Sequence, residues 1–201
     1  MTAEAALRAE ALRVNARYVE EVVIGWGLCP WAAQAWRDGA VARRVLPEPV
    51  PVLDAVLAFI DEIAPEPATA IGLLIFPRVA LDEAAWGAFA ERVRRADRAR
   101  RPPGTVAPFL LAAFHPAVDS DAGAARAARP AALVSYLRRA PDPMLQLVRA
   151  SLVERLSESG RDVSGEIARA NFAAVGTRTP AALDAVVRDI RRDRDAAYAR
   201  L

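Results

Sequence analysis

The chain has 201 residues and a formal net charge of +2, and its 27 basic side chains are all arginines because the sequence contains no lysine. With one cysteine and one histidine, a single chain can form neither an intramolecular disulfide nor a Cys/His zinc tetrad. The missing lysine also excludes Schiff-base catalysis and the phosphate-binding loop that needs a lysine. A hydrophobic fraction of 54% allows a sizeable core, and the length predicts a single domain over residues 1–201.

The N-terminal segment does not have the pattern of a targeting or membrane sequence. Glu4 and Arg8 occupy the region where a signal peptide has its apolar run. The longest apolar stretch, residues 22–33, is interrupted by two glycines and Pro30, and it is shorter than the roughly 20 residues of a membrane-spanning helix. We therefore expect a cytoplasmic protein that has no membrane partner.

Hydrophobic periodicity predicts the elements of the first half of the chain. Apolar side chains three and four residues apart predict a helix that begins after Thr2 and breaks at Gly25 or Gly27. A short helix from Pro30 to Trp36 is expected next. The following predicted elements are a strand at 41–46, a helix at 52–64, a strand at 71–76, a helix capped by Asp82, and a strand at 106–114.

The second half of the chain is predicted to be helical. The expected elements are a loop containing Asp119 and Asp121, a short helix opened by Pro130, a helix from Met144 to Ser159, a short helix at 165–172, and a final helix from Thr179-Pro180 to Tyr198. Strands that alternate with helices favour crossover connections. The predicted fold class is α/β, with a small three- or four-stranded mixed or parallel sheet flanked by helices and a helix-rich C-terminal half.

Cys29 and His115 are the first candidates for chemistry. Cys29 lies at a glycine-broken junction before a helix, where the helix dipole would lower the pKa of the thiol and favour the thiolate. The alternative is a buried structural cysteine. His115 ends an apolar strand and should lie at the C-terminal edge of the sheet, where α/β proteins bind ligands. One alternative is a histidine that is hydrogen-bonded to a loop, and another is a histidine whose ring is oriented by Asp119 and Asp121. These two aspartates could also hold a hard metal ion or belong to a solvated loop.

The arginines offer two further interpretations. Arg138, Arg139 and Arg149 could grip a carboxylate or phosphate, although a surface role is also common in an arginine-rich chain. The run from Arg92 to Arg101 has the charge of a nucleic-acid footprint, but it lacks aromatic residues and the net charge is nearly balanced. The sequence therefore favours a solvated helix end and argues against nucleic acid as a partner.

Six short motifs occur in order along the chain: VVIGWGLCPWA at 22–32, IGLLIFP at 71–77, AFHP at 113–116, SYLRRAPDP at 135–143, MLQLVRAS at 144–151, and ARAN at 168–171. Together they resemble the signature of a bacterial family known as domain of unknown function 1415, over about residues 15–175. Phe76 and Gln146 stand where that family has histidines. Ala150 replaces a glutamate and Ser135 an asparagine. If relatives use those histidines for a metal or for proton transfer, this chain lacks part of that equipment.

The resemblance implies a shared fold and a shared pocket, but no activity. The motif residues that this chain retains are Cys29, His115, Tyr136, Arg139, Arg149 and Asn171. One hypothesis is a small-molecule enzyme in which Cys29 and His115 are catalytic and the other four residues bind an anionic substrate. The alternative is a non-catalytic ligand-binding or regulatory module. The sequence identifies no metal ligands and no cofactor, and it leaves the oligomeric state open.

Overall fold

The computed structural model describes residues 2–29, 31–116, 138–157 and 180–201. The elements in chain order are α1 (Ala3–Arg17), a π-helix (Tyr18–Ile24), α2 (Ala32–Arg37), β1 (Val41–Val45), α3 (Leu53–Ile63), β2 (Ile71–Ile75), α4 (Glu83–Ala99), β3 (Phe109–Phe114), β4 (Met144–Arg149), α5 (Ala150–Ser157) and α6 (Pro180–Tyr198). The predicted α/β class is confirmed. The predicted loop around Asp119 and Asp121 and the helices expected at Pro130 and at 165–172 lie outside the described residues.

The four strands form one mixed sheet in the order β1-β2-β4-β3. β1 and β2 are parallel, and β4 pairs antiparallel with both β2 and β3. In this register Met144 lies between Ile75 and Phe114, and Ile75 lies beside Val45. The last residues of β1, β2 and β3 therefore meet at one edge, which we call the C-terminal edge of the sheet.

The fourth strand corrects the sequence prediction, because the helix predicted from Met144 to Ser159 is wrong in its first six residues. Met144–Arg149 is strand β4, and only Ala150–Ser157 is helical. The segment also has a period-two pattern, and its alternate side chains Leu145 and Leu147 are fully buried on one face. Its position between β2 and β3 supplies hydrogen-bond partners on both sides, and this tertiary pairing outweighs a local helical pattern.

The first predicted helix is also wound differently from the expected one. α1 ends at Arg17, and the next seven residues form a π-helix in which the amide of Gly25 donates to the Glu20 carbonyl at 2.9 Å. A β-carbon at Gly25 would lie 2.6 Å from the Glu21 carbonyl oxygen, so this close approach requires glycine. Gly27 then adopts a φ of 63° and turns the chain towards Cys29.

Each face of the sheet is covered by its own set of helices. Ile71, Leu73 and Ile75 of β2 pack with α1, the π-helix and α6, and we call this side the α1/α6 face. Leu74 of β2 packs instead with α3 and α4, as do the buried leucines of β4, and this side is the α3/α4 face. Successive strand residues point to opposite faces, so the position of a residue along its strand determines which helices it meets.

The helices are fixed by caps and ion pairs that suit their sequences. Asp82 caps α4, where its carboxylate accepts from the Ala85 amide at 2.7 Å, as the sequence predicts. Asp193 of α6 accepts hydrogen bonds from Arg13 at 2.8 Å and from Arg17 at 2.6 Å, which joins α6 to α1. No helix in the described parts of the chain is long and apolar enough to cross a membrane.

Candidate functional site

A cavity of about 180 Å³ lies on the α1/α6 face of the sheet, beside Cys29. We call it the Cys29 cavity. Its walls come from the π-helix, α2 and all four strands, and the apolar side chains among them include Val19, Val23, Val41, Ile71, Leu73 and Phe114. α2 is held against the π-helix by a hydrogen bond of 3.0 Å from the Trp36 indole to Glu20. The cavity is therefore built from regular elements rather than from loops alone.

Four polar side chains interrupt the apolar lining: Tyr18, Cys29, Arg138 and Gln146. The Tyr18 hydroxyl is buried and makes no hydrogen bond to any described residue, an arrangement that a binding partner would relieve. Arg138 is exposed and is the one formally charged side chain among the described lining residues. Gln146, in the middle of β4, lies between Leu73 and Ala112 of the neighbouring strands. The cavity thus combines an apolar body with a cationic group and neutral hydrogen-bonding groups.

Cys29 is the thiol that the sequence singles out, and its surroundings act on it in two opposite ways. Burial raises the pKa of the Cys29 thiol, and hydrogen bonds from the amides of Trp31 and Ala32 lower it by a smaller amount. The net direction is upward, because desolvation disfavours the thiolate. The sequence analysis expects the helix dipole to lower the pKa of this thiol, and the direction found is the opposite. The helix that follows Cys29, α2, is short, with six residues.

His115 lies directly after β3, at the C-terminal edge of the sheet, as its sequence position predicts. Its Nε2 lies 2.8 Å from the carbonyl oxygen of Leu81, so this nitrogen is the one that donates in the neutral ring. The ring lines a second cavity of about 280 Å³, which we call the edge cavity, together with Arg191 and Arg194 of α6. His115 and Cys29 therefore line different cavities, and the structure does not bring them together as a thiol–imidazole pair.

A buried polar cluster borders the edge cavity, and the sequence did not single it out. Asp142, with 2% of its surface exposed, accepts hydrogen bonds from Arg194 at 2.9 Å and from the Tyr198 hydroxyl at 2.8 Å. Burial raises the pKa of the Asp142 carboxyl, although the positive charge of Arg194 opposes that shift. Arg191, Arg194 and Tyr198 follow one another at spacings of three and four on α6, so a shared helix face was the available signal.

Arg139, predicted to hold an anion, holds a carboxylate of the protein. Its side chain is 5% exposed and pairs with Asp184 of α6 at 2.5 Å. The adjacent residue Arg138 lines the Cys29 cavity instead. The sequence analysis names Arg139 as the binding residue of this pair, whereas the arginine that lines a cavity is Arg138.

Arg149 lies at the end of β4 on the α3/α4 face, away from the Cys29 cavity. Its guanidinium donates to the carbonyls of Ile63, Ala64, Glu66 and Thr69, at distances of 2.7 to 3.3 Å. It also stacks over Phe109, with its central carbon 4.8 Å from the ring centroid. These carbonyls belong to the C-terminal end of α3 and the residues after it, where a cation favourably meets the helix dipole. Arg149 closes the end of α3.

Two of the predicted binding residues, Tyr136 and Asn171, lie outside the described residues. Of the four that are described, Cys29 lines one cavity, His115 lines the other, and Arg139 and Arg149 make contacts within the protein. In the described part of the chain, no group of three or more His, Cys, Asp or Glu side chains is arranged to hold a metal ion. The predicted convergence on one pocket is thus not seen among them.

The arginine-rich end of α4 forms ion pairs on the protein surface. Arg100 and Arg101 both donate to Asp97, at 2.9 and 2.6 Å, and Arg100 also pairs with Asp61 at 2.5 Å. Arg94 donates to the Leu111 carbonyl at 2.8 Å. These contacts engage three arginines of the run, Arg94, Arg100 and Arg101, within the protein.

Comparison with known proteins gives one match. A family profile described as "Protein of unknown function (DUF1415)" matches residues 10–184. No curated protein and no solved structure matches the chain. The matched region includes every site residue discussed above except the α6 arginines Arg191 and Arg194 and the residues after them.

Proposed function

The chain belongs to the DUF1415 family of proteins of unknown function, and we propose that it binds a small, largely apolar molecule that carries one anionic group. The observation behind this proposal is the Cys29 cavity, an apolar space of about 180 Å³ that has Arg138 as its charged lining residue among those described. Ligand sites in proteins are usually concave and mostly apolar, with a few polar groups that fix orientation.

The size of the cavity limits the ligand. An engineered protein cavity of about 150 Å³, lined by aliphatic and aromatic side chains, accepts benzene. The Cys29 cavity is of similar size at about 180 Å³, and its walls include Val19, Val41 and Leu73. A single aromatic ring or a short branched alkyl group therefore matches the apolar part of the ligand.

The polar groups support an anionic substituent. The Arg138 guanidinium offers several N–H donors to a carboxylate. Burial and the positive charge of Arg94 lower the pKa of this guanidinium, and an anion beside it would oppose both effects. The buried Tyr18 hydroxyl, which has no partner among the described residues, would gain one from a ligand oxygen. Gln146 adds an amide that can donate or accept.

Binding is favoured over thiol chemistry by the surroundings of Cys29. An activated nucleophile needs a base within hydrogen-bond reach or a lowered pKa. The pKa of the Cys29 thiol is raised by burial, and His115 lines a different cavity. Gln146, which lines the Cys29 cavity, offers an amide that cannot transfer a proton at neutral pH. These features support the ligand-binding module rather than the thiol- and histidine-dependent enzyme.

The test compares benzoate with benzamide, which has nearly the same shape but no charge. We expect the wild-type protein to bind benzoate at least tenfold more tightly than benzamide, as measured by chemical-shift titration of the ¹⁵N-labelled chain. Arg138→Gln should lose this preference and keep its affinity for benzamide. Arg95→Gln, at an exposed position on α4, is the matched control and should behave as wild type.

Two results would overturn the proposal. One is the absence of saturable binding of both probes by the folded wild-type protein. The other is an unchanged preference for benzoate in Arg138→Gln. Filling the cavity gives an independent check, because Ala112→Leu places a larger side chain in its wall. This variant should weaken binding of both probes by a similar factor, whereas retention of full affinity would place the ligand elsewhere.

A further inference from the structure

We propose a second, separate ligand site in the edge cavity, and we infer that it takes a small oxyanion, either a phosphate group or a carboxylate, on Arg191. The edge cavity lies at the C-terminal edge of the sheet, beside His115. In sheets of this class, ligands bind outside the carboxyl ends of the strands. The proposal does not depend on the function of the Cys29 cavity, because the two cavities share no described lining residue.

The hydrogen bonds of Arg191 provide the main argument. Its Nη2 donates to the carbonyl oxygen of Pro116, but its Nε–H is buried and makes no hydrogen bond to any described residue. A guanidinium remains charged at all physiological pH values. A buried N–H of a charged group without an acceptor is unfavourable. Arg191 lines the edge cavity, so an oxyanion bound there would compensate the charge of this guanidinium.

The charges around the cavity single out Arg191 from the other arginines at this edge. Arg194 donates to two carboxylates, those of Asp142 and Asp195. Arg139 forms an ion pair with Asp184. In the described part of the chain, Arg191 has no carboxylate within ion-pair distance, although Asp195 is close enough to act on it electrostatically. Arg191 is thus the cation at this edge whose charge is least compensated.

A neighbouring positive charge strengthens this conclusion. Burial lowers the pKa of the Arg191 guanidinium, and the positive charge of Arg139 lowers it further. An anion placed between or beside two buried cations stabilises them.

The charged side chains in the walls of the edge cavity are the guanidinium groups of Arg191 and Arg194 and the carboxylate of Asp195, which already pairs with Arg194. Pro116, Pro141 and Pro143 also line the cavity, and proline nitrogens carry no hydrogen, so side chains must supply most of the donors. At about 280 Å³, the space exceeds the roughly 30 Å³ of one water molecule. A phosphate group or a short carboxylic acid fits this combination of size and donors.

The experiment uses the full chain labelled with ¹⁵N, at neutral pH and constant ionic strength. Inorganic phosphate and sodium acetate are the two probes, and the observed signal is the Nε–H resonance of Arg191, assigned by its loss in Arg191→Gln. We expect a saturable shift of this resonance with at least one probe. A response to phosphate alone identifies a phosphate site, and a response to acetate alone identifies a carboxylate site.

Variants separate a specific site from general charge attraction. Arg191→Gln should bind the active probe at least tenfold more weakly than wild type. Arg192→Gln is the matched control, because Arg192 is the next residue on α6, its side chain is 71% exposed and it pairs with Asp189 on the surface. That variant should keep wild-type affinity. If Arg191→Gln does not fold, Arg191→Lys is used instead to assign the resonance, because lysine keeps the charge and lacks the Nε–H. The titration itself is then carried out on the wild-type protein.

The proposal is overturned if neither probe gives a saturable shift in the wild-type protein, since the cavity then holds water only. It is also overturned if Arg191→Gln binds as tightly as wild type, or if Arg192→Gln loses as much affinity as Arg191→Gln. Failure here leaves the benzoate result unaffected. That experiment reports on Arg138 and the Cys29 cavity, so the two proposals fail separately.

Discussion

Arg138 and Arg139 are consecutive in the chain, yet Arg138 is exposed at the Cys29 cavity while Arg139 is buried in an ion pair with Asp184 of α6. The positions of both arginines follow from the direction of the chain as it approaches β4. The first residue of that strand, Met144, also lines the Cys29 cavity. One arginine is available to a ligand and the other fastens α6 to the sheet. Substitutions at the two positions should therefore have different consequences, on binding and on stability respectively.

Removing the carboxylate that pairs with Arg139 should destabilise the fold. Asp184→Asn removes the negative charge that pairs with the buried Arg139 guanidinium, and breaking such a pair costs about 3 kcal/mol or more. Urea unfolding measures the loss. Glu4→Gln, which breaks the exposed pair between Glu4 and Arg8, is the control and should cost less than about 1 kcal/mol. A loss equally small for Asp184→Asn would contradict a stabilising role for the buried pair.

The end of α3 should depend on Arg149. Arg149→Met removes every hydrogen bond from the guanidinium to the carbonyls after Ile63, and we expect a loss of about 2 to 4 kcal/mol in the free energy of unfolding. Arg149→Lys should recover only part of it, because lysine lacks the planar fork. Arg95→Met is an exposed control that should change stability by less than about 0.5 kcal/mol. Benzoate affinity should stay at the wild-type value, and a selective loss of that affinity would instead assign Arg149 to the ligand.

The link between α1 and α6 should weaken in acid. Hydrogen bonds from Arg13 and Arg17 lower the pKa of Asp193 to about 2, below the ordinary value of about 3.9. A carboxyl whose folded-state pKa is depressed adds stability above the ordinary pKa, and this stability is lost as the pH falls through about 2. Urea unfolding at a series of pH values should therefore show wild type more stable than Asp193→Asn at pH 5, with the difference shrinking towards pH 2.

A control separates this effect from the general action of acid. Glu48→Gln changes an exposed carboxyl in the loop after β1 and is the control variant for the same pH series. A constant difference for Asp193→Asn would show that its carboxylate adds no acid-sensitive stability.

The Cys29 thiol should react slowly at neutral pH. Burial raises the pKa of the thiol, and the thiolate is the form that attacks iodoacetamide and displaces iodide. Because the chain contains one cysteine, mass spectrometry gives the alkylation rate of Cys29 directly. We expect the folded protein at pH 7 to react at least tenfold more slowly than the urea-unfolded chain, and benzoate to slow it further. Equal rates in the folded and unfolded chains would reveal an accessible thiolate.

The sequence predicts most of the fold because most elements carry their own pattern. The spacing in α3 and the cap at Asp82 identify two helices, and the run before Pro77 identifies β2. β4 is not predicted because two patterns fit the same segment. Leu145, Val148 and Leu152 have the spacing of a helix, and the segment also has the period of two of a strand. The segment forms a strand rather than a helix because it pairs with the edges of β2 and β3, which are distant from it in sequence.

The grouping of the candidate site residues could not be predicted from the sequence. Cys29, His115 and the arginine pair all lie at or beside a cavity or a buried ion pair. Which cavity each one faces depends on the register of β4 and on the approach of α6, and neither is encoded in a local motif. Arg191 and Tyr198 illustrate this limit, since their partners are in other parts of the chain.

The sheet order also determines how a growing chain can fold. Among the described strands, β4 comes last in the chain, yet it occupies an interior position between β2 and β3. Until Met144 leaves the ribosome, β2 and β3 each present an unpaired backbone edge, and such edges invite pairing with other chains. The position between β2 and β3 must therefore stay unoccupied until most of the chain has been synthesised. A chain truncated before Met144 should aggregate rather than fold.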